Sequence, residues 1–230
     1  MGNNMNKMNT NYTQLVSGKK MVRISDDPVR LVSAMNARKM INTYEQYEEN
    51  LNAARNWNDQ AETALTDINN TLQTIYEQVV FASSEVNQDV EKAAVAKAIE
   101  EYRDHIQQNM NASINFKYLF AGYNATKVPF ERDANGNMTY NGIDLNAANL
   151  NDPAVQDELA QHFQLEVGVG MKMDVTFTGI DVVGVGEDNM FKMLDDLVAD
   201  LYANKGNDVL GEYLTKIEDR RTSIMEKVVT

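Results

Sequence analysis

Residues 37–86 read ARKMINTYEQYEENLNAARNWNDQAETALTDINNTLQTIYEQVVFASSEV. Stepping alternately by three and four residues from Ala37 meets Met40, Tyr44, Tyr47, Leu51, Ala54, Asn58, Ala61, Leu65, Ile68, Leu72, Ile75, Val79, Ala82 and Val86. Fourteen of these fifteen positions are apolar or aromatic, and Asn58 is the exception. The residues between them are mostly Asn, Asp, Glu, Gln, Thr and Arg. A period of 3.5 held over so many turns defines helices packed along a long seam. Asp27 is placed to cap the first free amides, and Pro28 suits the first helical position because its missing N–H is not needed there. Fifty helical residues at 1.5 Å each span about 75 Å. A compact globule of this chain length has a diameter of only about 45 Å, so the molecule must be, or carry, a rod.

Outward from this seam, a second helix is expected over residues 88–119. Its stripe is Val95, Ile99, Tyr102, Ile106, Met110 and Ile114, and Gly122 closes it. The polar turn at 83–89 is short, so the two helices should pack antiparallel. Toward the C-terminus, residues 188–202 carry Phe191, Leu194, Leu197, Val198 and Leu201 on one face. After a break at Asn204-Lys205-Gly206-Asn207, a last helix carries Leu210, Leu214, Ile217, Ile224 and Val228, a stripe still running at Thr230.

Residues 123–186 differ in character, being rich in glycine and holding both Pro129 and Pro153. Residues 127–130 and 138–140 read as short strands about the turn Asp133-Ala134-Asn135-Gly136-Asn137. Alternation over 164–169 and 171–185 reads as further strands, with Met171, Met173, Val175 and Phe177 on one face. A short helix over 153–163 is expected between them. The fold class is therefore mainly α with an inserted β-rich domain. It is an elongated rod of long antiparallel helices, discontinuous in sequence, with 1–122 and 187–230 as the helical part and 123–186 as the insert.

Composition narrows the function. The 230 residues carry 21 Lys and Arg against 34 Asp and Glu, a formal charge of −13. So acidic a surface repels phosphate backbones and anionic lipid heads, which argues against nucleic acid and membranes as partners. There is no cysteine, which removes disulfides, thiolate catalysis and sulfur-ligated zinc. No run of apolar residues approaches the roughly 18 a membrane span needs. Met1-Gly2-Asn3-Asn4-Met5-Asn6-Lys7 lacks the pattern of a cleaved leader.

Chemistry-bearing patterns are missing. His105 and His162 stand far apart with no metal-ligand spacing around either, and His105 reads as a surface or rim residue. The Asp133 turn resembles the start of a calcium loop, but Met138 occupies the position that requires glycine. Gly168-Val169-Gly170 and Gly184-Val185-Gly186 complete no phosphate-binding loop. Asp195 and Asp196 read as a solvated helix face. Trp57 borders Asn58, the polar interruption of the seam. No catalytic residue, cofactor-binding residue, cofactor or metal site is expected, and the chain reads as a structural subunit rather than an enzyme.

One segment carries a family resemblance. Gln14-Leu15-Val16-Ser17-Gly18-Lys19-Lys20-Met21, followed by Ile24-Ser25-Asp26-Asp27-Pro28, resembles the N-terminal signature of the flagellin superfamily. The lysine after Ser-Gly and the proline directly after two aspartates favour its hook-associated, junction-forming branch over flagellins themselves. Ala53-Ala54-Arg55-Asn56-Trp57 with Gln60-Ala61-Glu62-Thr63-Ala64-Leu65, and Tyr118-Leu119-Phe120-Ala121-Gly122 before Pro129-Phe130, add to the match. The resemblance implies a structural adaptor joining hook to filament in the bacterial flagellum, exported through the flagellar channel to an extracellular position. It implies a homologous hook-associated junction protein and flagellin as partners, self-association of the full-length protein, and an export chaperone. Ser17, Gly18, Lys19, Ser25, Asp26, Asp27 and Pro28 are implied to form a connecting segment that touches neighbouring subunits. The chain is expected to be a core fragment lacking the terminal polymerisation helices. A flagellin-type filament subunit and a helical sensory or ligand-binding domain remain as alternatives.

Overall fold

A computed structural model describes residues 2–18, 28–84, 89–146, 155, 162, 164–174 and 177–229. Helix α1 (Gly2–Ser17) is followed by α2 (Pro28–Ala82), a single unbroken helix of 55 residues. At 1.5 Å per residue α2 is about 82 Å long, so the rod expected from the seam is present. Helix α3 (Asp89–Met110) returns alongside it, and the two touch where Thr71 Oγ1 lies 3.4 Å from His105 Nδ1.

The seam is buried at Ala54, Ala61, Leu65, Ile68, Leu72, Ile75, Val79 and Ala82. Asn58 is exposed, and Trp57, only 7% exposed, takes its place in the stripe. At 3.6 residues per turn, positions 57 and 58 lie about 60° and 40° to either side of Ala54, so both flank the stripe and the apolar Trp57 is the one that turns inward. Position 57 faces the core where the count pointed to 58. Val86 lies outside the described residues.

Helix α3 ends at Met110, nine residues before the expected end at 119. The chain turns instead into a tight hairpin, β1 (Ser113–Ile114) and β2 (Lys117–Tyr118), which pair antiparallel. Asn111 reinforces the stop. Its amide donates to Phe130 O at 2.8 Å and its carbonyl accepts from Phe130 N at 3.0 Å. This pair of hydrogen bonds replaces a missing strand neighbour and fixes the start of β3 (Phe130–Arg132). A three-stranded antiparallel sheet follows, β3 with β4 (Met138–Tyr140) and β4 with β5 (Ile143–Asp144). The Asp133 turn forms as expected, with Asp133 Oδ1 accepting from the amides of Asn135 and Asn137 at 2.8 Å each.

A second hairpin joins β6 (Gln164–Gly168) to β7 (Met171–Asp174). The strand expected to continue to residue 185 stops here. Residues 179–183 form a short helix, α4 (Gly179–Val183). Thr178 and Asp181 explain the change: the Thr178 amide and hydroxyl both donate to the Asp181 carboxylate, at 2.9 and 2.7 Å. This capping arrangement favours a helix start over an extended strand. Gly179 also has no room for a side chain, since a Cβ there would lie 2.5 Å from Phe130 Cζ and 2.8 Å from Tyr140 Cε2. The short helix expected over 153–163 falls outside the described residues except for Val155 and His162.

Helices α5 (Met190–Tyr202) and α6 (Asn207–Val229) complete the bundle. Asn189 caps α5 by accepting from Phe191 N at 2.9 Å. Helix α2 packs on α3 and α6, and α3 packs on α5. One continuous core includes the α2 seam, Ile99, Ile106 and Met110 of α3, Phe191, Leu194 and Leu197 of α5, and Leu210, Ile217 and Ile224 of α6. The short strands share it through Phe130, Met138 and Tyr140. Phe130 meets Tyr140 and Phe191 at ring distances of 5.2 and 5.8 Å.

Candidate interaction surfaces

The N-terminal part of α2 is built from the same kind of stripe as the rest but lacks its cover. Met40 is 56% and Tyr44 60% exposed, and Val32, Met35, Ile41 and Leu51 also stand largely open. An apolar seam this long without cover is a candidate contact surface. The β6–β7 hairpin braces it at one place. Asn50 Nδ2 donates to Glu166 O at 2.6 Å, and the Tyr47 hydroxyl reaches Glu166 Oε1 at 3.4 Å. Partial desolvation and the adjacent Glu166 charge raise the Tyr47 pKa. Beside this brace lies an open cleft of about 660 Å³ lined by Met35, Arg38, Lys39, Thr43, Gln46 and Glu166 among others. Val169 and Met171 at the hairpin tip are exposed as well.

The connecting segment is only partly placed. Ser17 ends α1, and its hydroxyl donates to Gln14 O at 3.4 Å. Gly18 has φ +63, the left-handed closing conformation that favours glycine after a helix. Pro28 is the first residue of α2, as its fixed φ suits. Lys19, Ser25, Asp26 and Asp27 lie outside the described residues, and so does the expected Asp27 cap.

Two features escaped the sequence reading. Helix α1 carries Met5, Met8, Tyr12 and Leu15 at alternating three- and four-residue spacing, all exposed. That spacing was the available signal. Asp195 is the other: it is no solvated face residue but the centre of an ion cluster. Arg103 Nη1 donates to Asp195 Oδ1 at 2.6 Å, and Arg132 Nη2 and Nη1 donate to Oδ1 and Oδ2 at 3.1 and 3.2 Å. Burial works against the Arg103 charge, but its bonds to Asp104 and Asp195 prevail and raise its pKa. The cluster ties α3, β3 and α5 together. Only residues distant in sequence meet there, so no local pattern could announce it.

Among the described residues no three His, Asp or Glu side chains converge as metal ligands, and no helix is long and apolar enough to cross a membrane. What the described surface offers is geometry: a long shaft, uncovered apolar stripes and rigidly braced hairpins. This defines an elongated helical protein whose apolar stripes stand exposed.

Comparison with known proteins places that class. The chain belongs to the flagellin family, since the sequence profile of the bacterial flagellin N-terminal helical region matches residues 1–125. The chain is 27% identical over 124 residues to flagellar hook-associated protein 3 of Salmonella typhimurium, a match covering 54% of this chain and 39% of that protein. The match thus spans about two fifths of the length of that curated relative. Among solved structures, a protein assigned as flagellar hook-associated from Vibrio parahaemolyticus superposes with a TM-score of 0.74 at 18% identity, covering 90% of this chain and 87% of that one. Bacillus cereus FlgL gives a TM-score of 0.63 at 16% identity over 86% and 87%. The fold is shared along most of both chains.

Proposed function

We propose that this chain is the shaft of a structural adaptor that joins hook to filament in the bacterial flagellum, working through lateral and axial subunit packing and performing no catalysis. The observation that carries this reading is α2: 55 unbroken helical residues, with a core-forming half and a half whose apolar stripe is uncovered. A stiff helix with one bare face suits a wall element that gains its remaining cover from neighbours. Residues 1–122 and 187–230 would form the shaft and 123–186 its side module. The partners on this reading are a homologous hook-associated junction protein, flagellin and further copies of the same chain, with an export chaperone before secretion. The site of action is the extracellular flagellum. The segment containing Ser17, Gly18, Lys19, Ser25, Asp26, Asp27 and Pro28 would connect the shaft to the inner part of the assembly and touch adjacent subunits.

Electron microscopy of cells lacking the protein tests this. Hooks without filaments are expected, and intact filaments would overturn the adaptor reading. Unlimited self-polymerisation of the purified full-length protein would instead make it a filament subunit.

A further inference from the structure

The β1–β2 hairpin is closed by Asn115 and Phe116, with φ of +50 and +63. A two-residue turn with both residues left-handed is the favoured hairpin closure, but its second position normally holds glycine. A phenylalanine there pays the Cβ penalty of the left-handed region. Its ring covers nothing of its own chain in return, for Phe116 is 97% exposed. Strain kept at a residue with no role in the core points outward to function. The hairpin is also stiffly mounted. Leu119 N bonds Ala112 O at 2.9 Å, Tyr118 N bonds Ala125 O at 2.7 Å, and Leu119 and Phe120 are buried.

We propose that this hairpin is a finger that sets Phe116 against the exposed Met40–Tyr44–Leu51 face of α2 in a second copy of the chain. The inference rests on the self-associating adaptor reading and gives it a contact. Large aromatic rings are favoured as interface anchors because they bury much area at little entropic cost. Tyr44 offers a matching aromatic, held edge-on to Tyr47 at 6.4 Å. Charge agrees at the Tyr44–Leu51 end of the landing face: Lys117 flanks the finger and Glu45, Glu48 and Glu49 are exposed there, while Arg38 and Lys39 stand beside Met40 at the other end. In a chain of net charge −13, copies otherwise repel, so a local match of this kind selects the orientation.

The finger and its landing face lie at different heights on the shaft. The Thr71–His105 contact puts the end of α3 near residue 66 of α2, on the order of 33 Å from the Tyr44 level at 1.5 Å per residue. One molecule cannot join its own two surfaces, but copies staggered by that distance can. The contact is therefore head-to-tail and repeats from copy to copy, as a ring or row requires.

These 230 residues contain no cysteine, so introduced thiols are the only ones on the shaft. Full-length protein carrying Lys117→Cys and Glu48→Cys replaces the native copy in cells, and isolated flagella are oxidised and run on non-reducing gels. Dimers and higher ladders are expected from the double variant and neither from the single ones. Phe116→Gly should lower the number of attached filaments severalfold while its purified protein melts no lower than the parent, and Phe116→Tyr should restore them. Absence of cross-links together with normal filament numbers in Phe116→Gly cells overturns the finger, provided that cells lacking the protein lose their filaments. If those cells keep them, it is the adaptor reading that fails.

Discussion

Asp200 shows how a single side chain couples two helices. Its carboxylate accepts from Tyr213 of α6 at 2.9 Å and pairs with Lys205 at 2.7 Å. Burial disfavours the charged form, but the Lys205 and Tyr213 bonds outweigh it and hold the pKa below the usual carboxylate range. Burial and the same carboxylate push the Tyr213 hydroxyl up. A carboxylate with a lowered pKa in the folded state stabilises above its unfolded value, and that contribution disappears as pH falls through about 4 and below. Asp200→Asn should therefore lower Tm by about 2–4 °C at pH 7. Its deficit should close as the parent is acidified, which melting curves from pH 7 to 3 would measure. A deficit independent of pH would mean that the charge is not what holds α5 to α6.

Each element of the chain is explained by how far its cause reaches along the sequence. Helix α2 was legible because a stripe repeated every turn states both helix and buried face. Its burial was not legible, since Met40 and Tyr44 continue the pattern of Leu65 and Leu72 while standing in solvent. Substitution separates the two halves. Leu72→Ala should cost about 2–5 kcal/mol in denaturant unfolding, because it opens a cavity in the shared core. Tyr44→Ala should change stability by no more than about 0.5 kcal/mol. The end of α3 and the start of α4 were misread for a different reason. Both are decided by single polar side chains, Asn111 and Thr178, whose partners Phe130 and Asp181 override the apolar spacing around them. The Thr178–Asp181 spacing is a local signal and could have been read; the Asn111–Phe130 bond needs the tertiary fold. Of the connecting segment, the backbone roles of Gly18 and Pro28 follow from their residue types. The subunit contacts proposed for Ser17 and Lys19 would be a property of an assembly and leave no trace in one chain.

At the scale of the molecule, α2 sets the dimensions. A rod as long as this helix has a radius of gyration of at least roughly 24 Å, against about 17 Å for a compact chain of this length. Small-angle scattering of the purified protein should give the larger value, and a result near the smaller one would exclude a continuous shaft. The uneven cover of α2 also has a mechanical result. Bending stiffness climbs steeply with cross-section, so the bundled stretch resists flexure while the thinner stretch, propped at Tyr47 and Asn50, yields first. Under shear the molecule behaves as a cantilever, and the stress gathers at its root, where Ala54 and Trp57 enter the core.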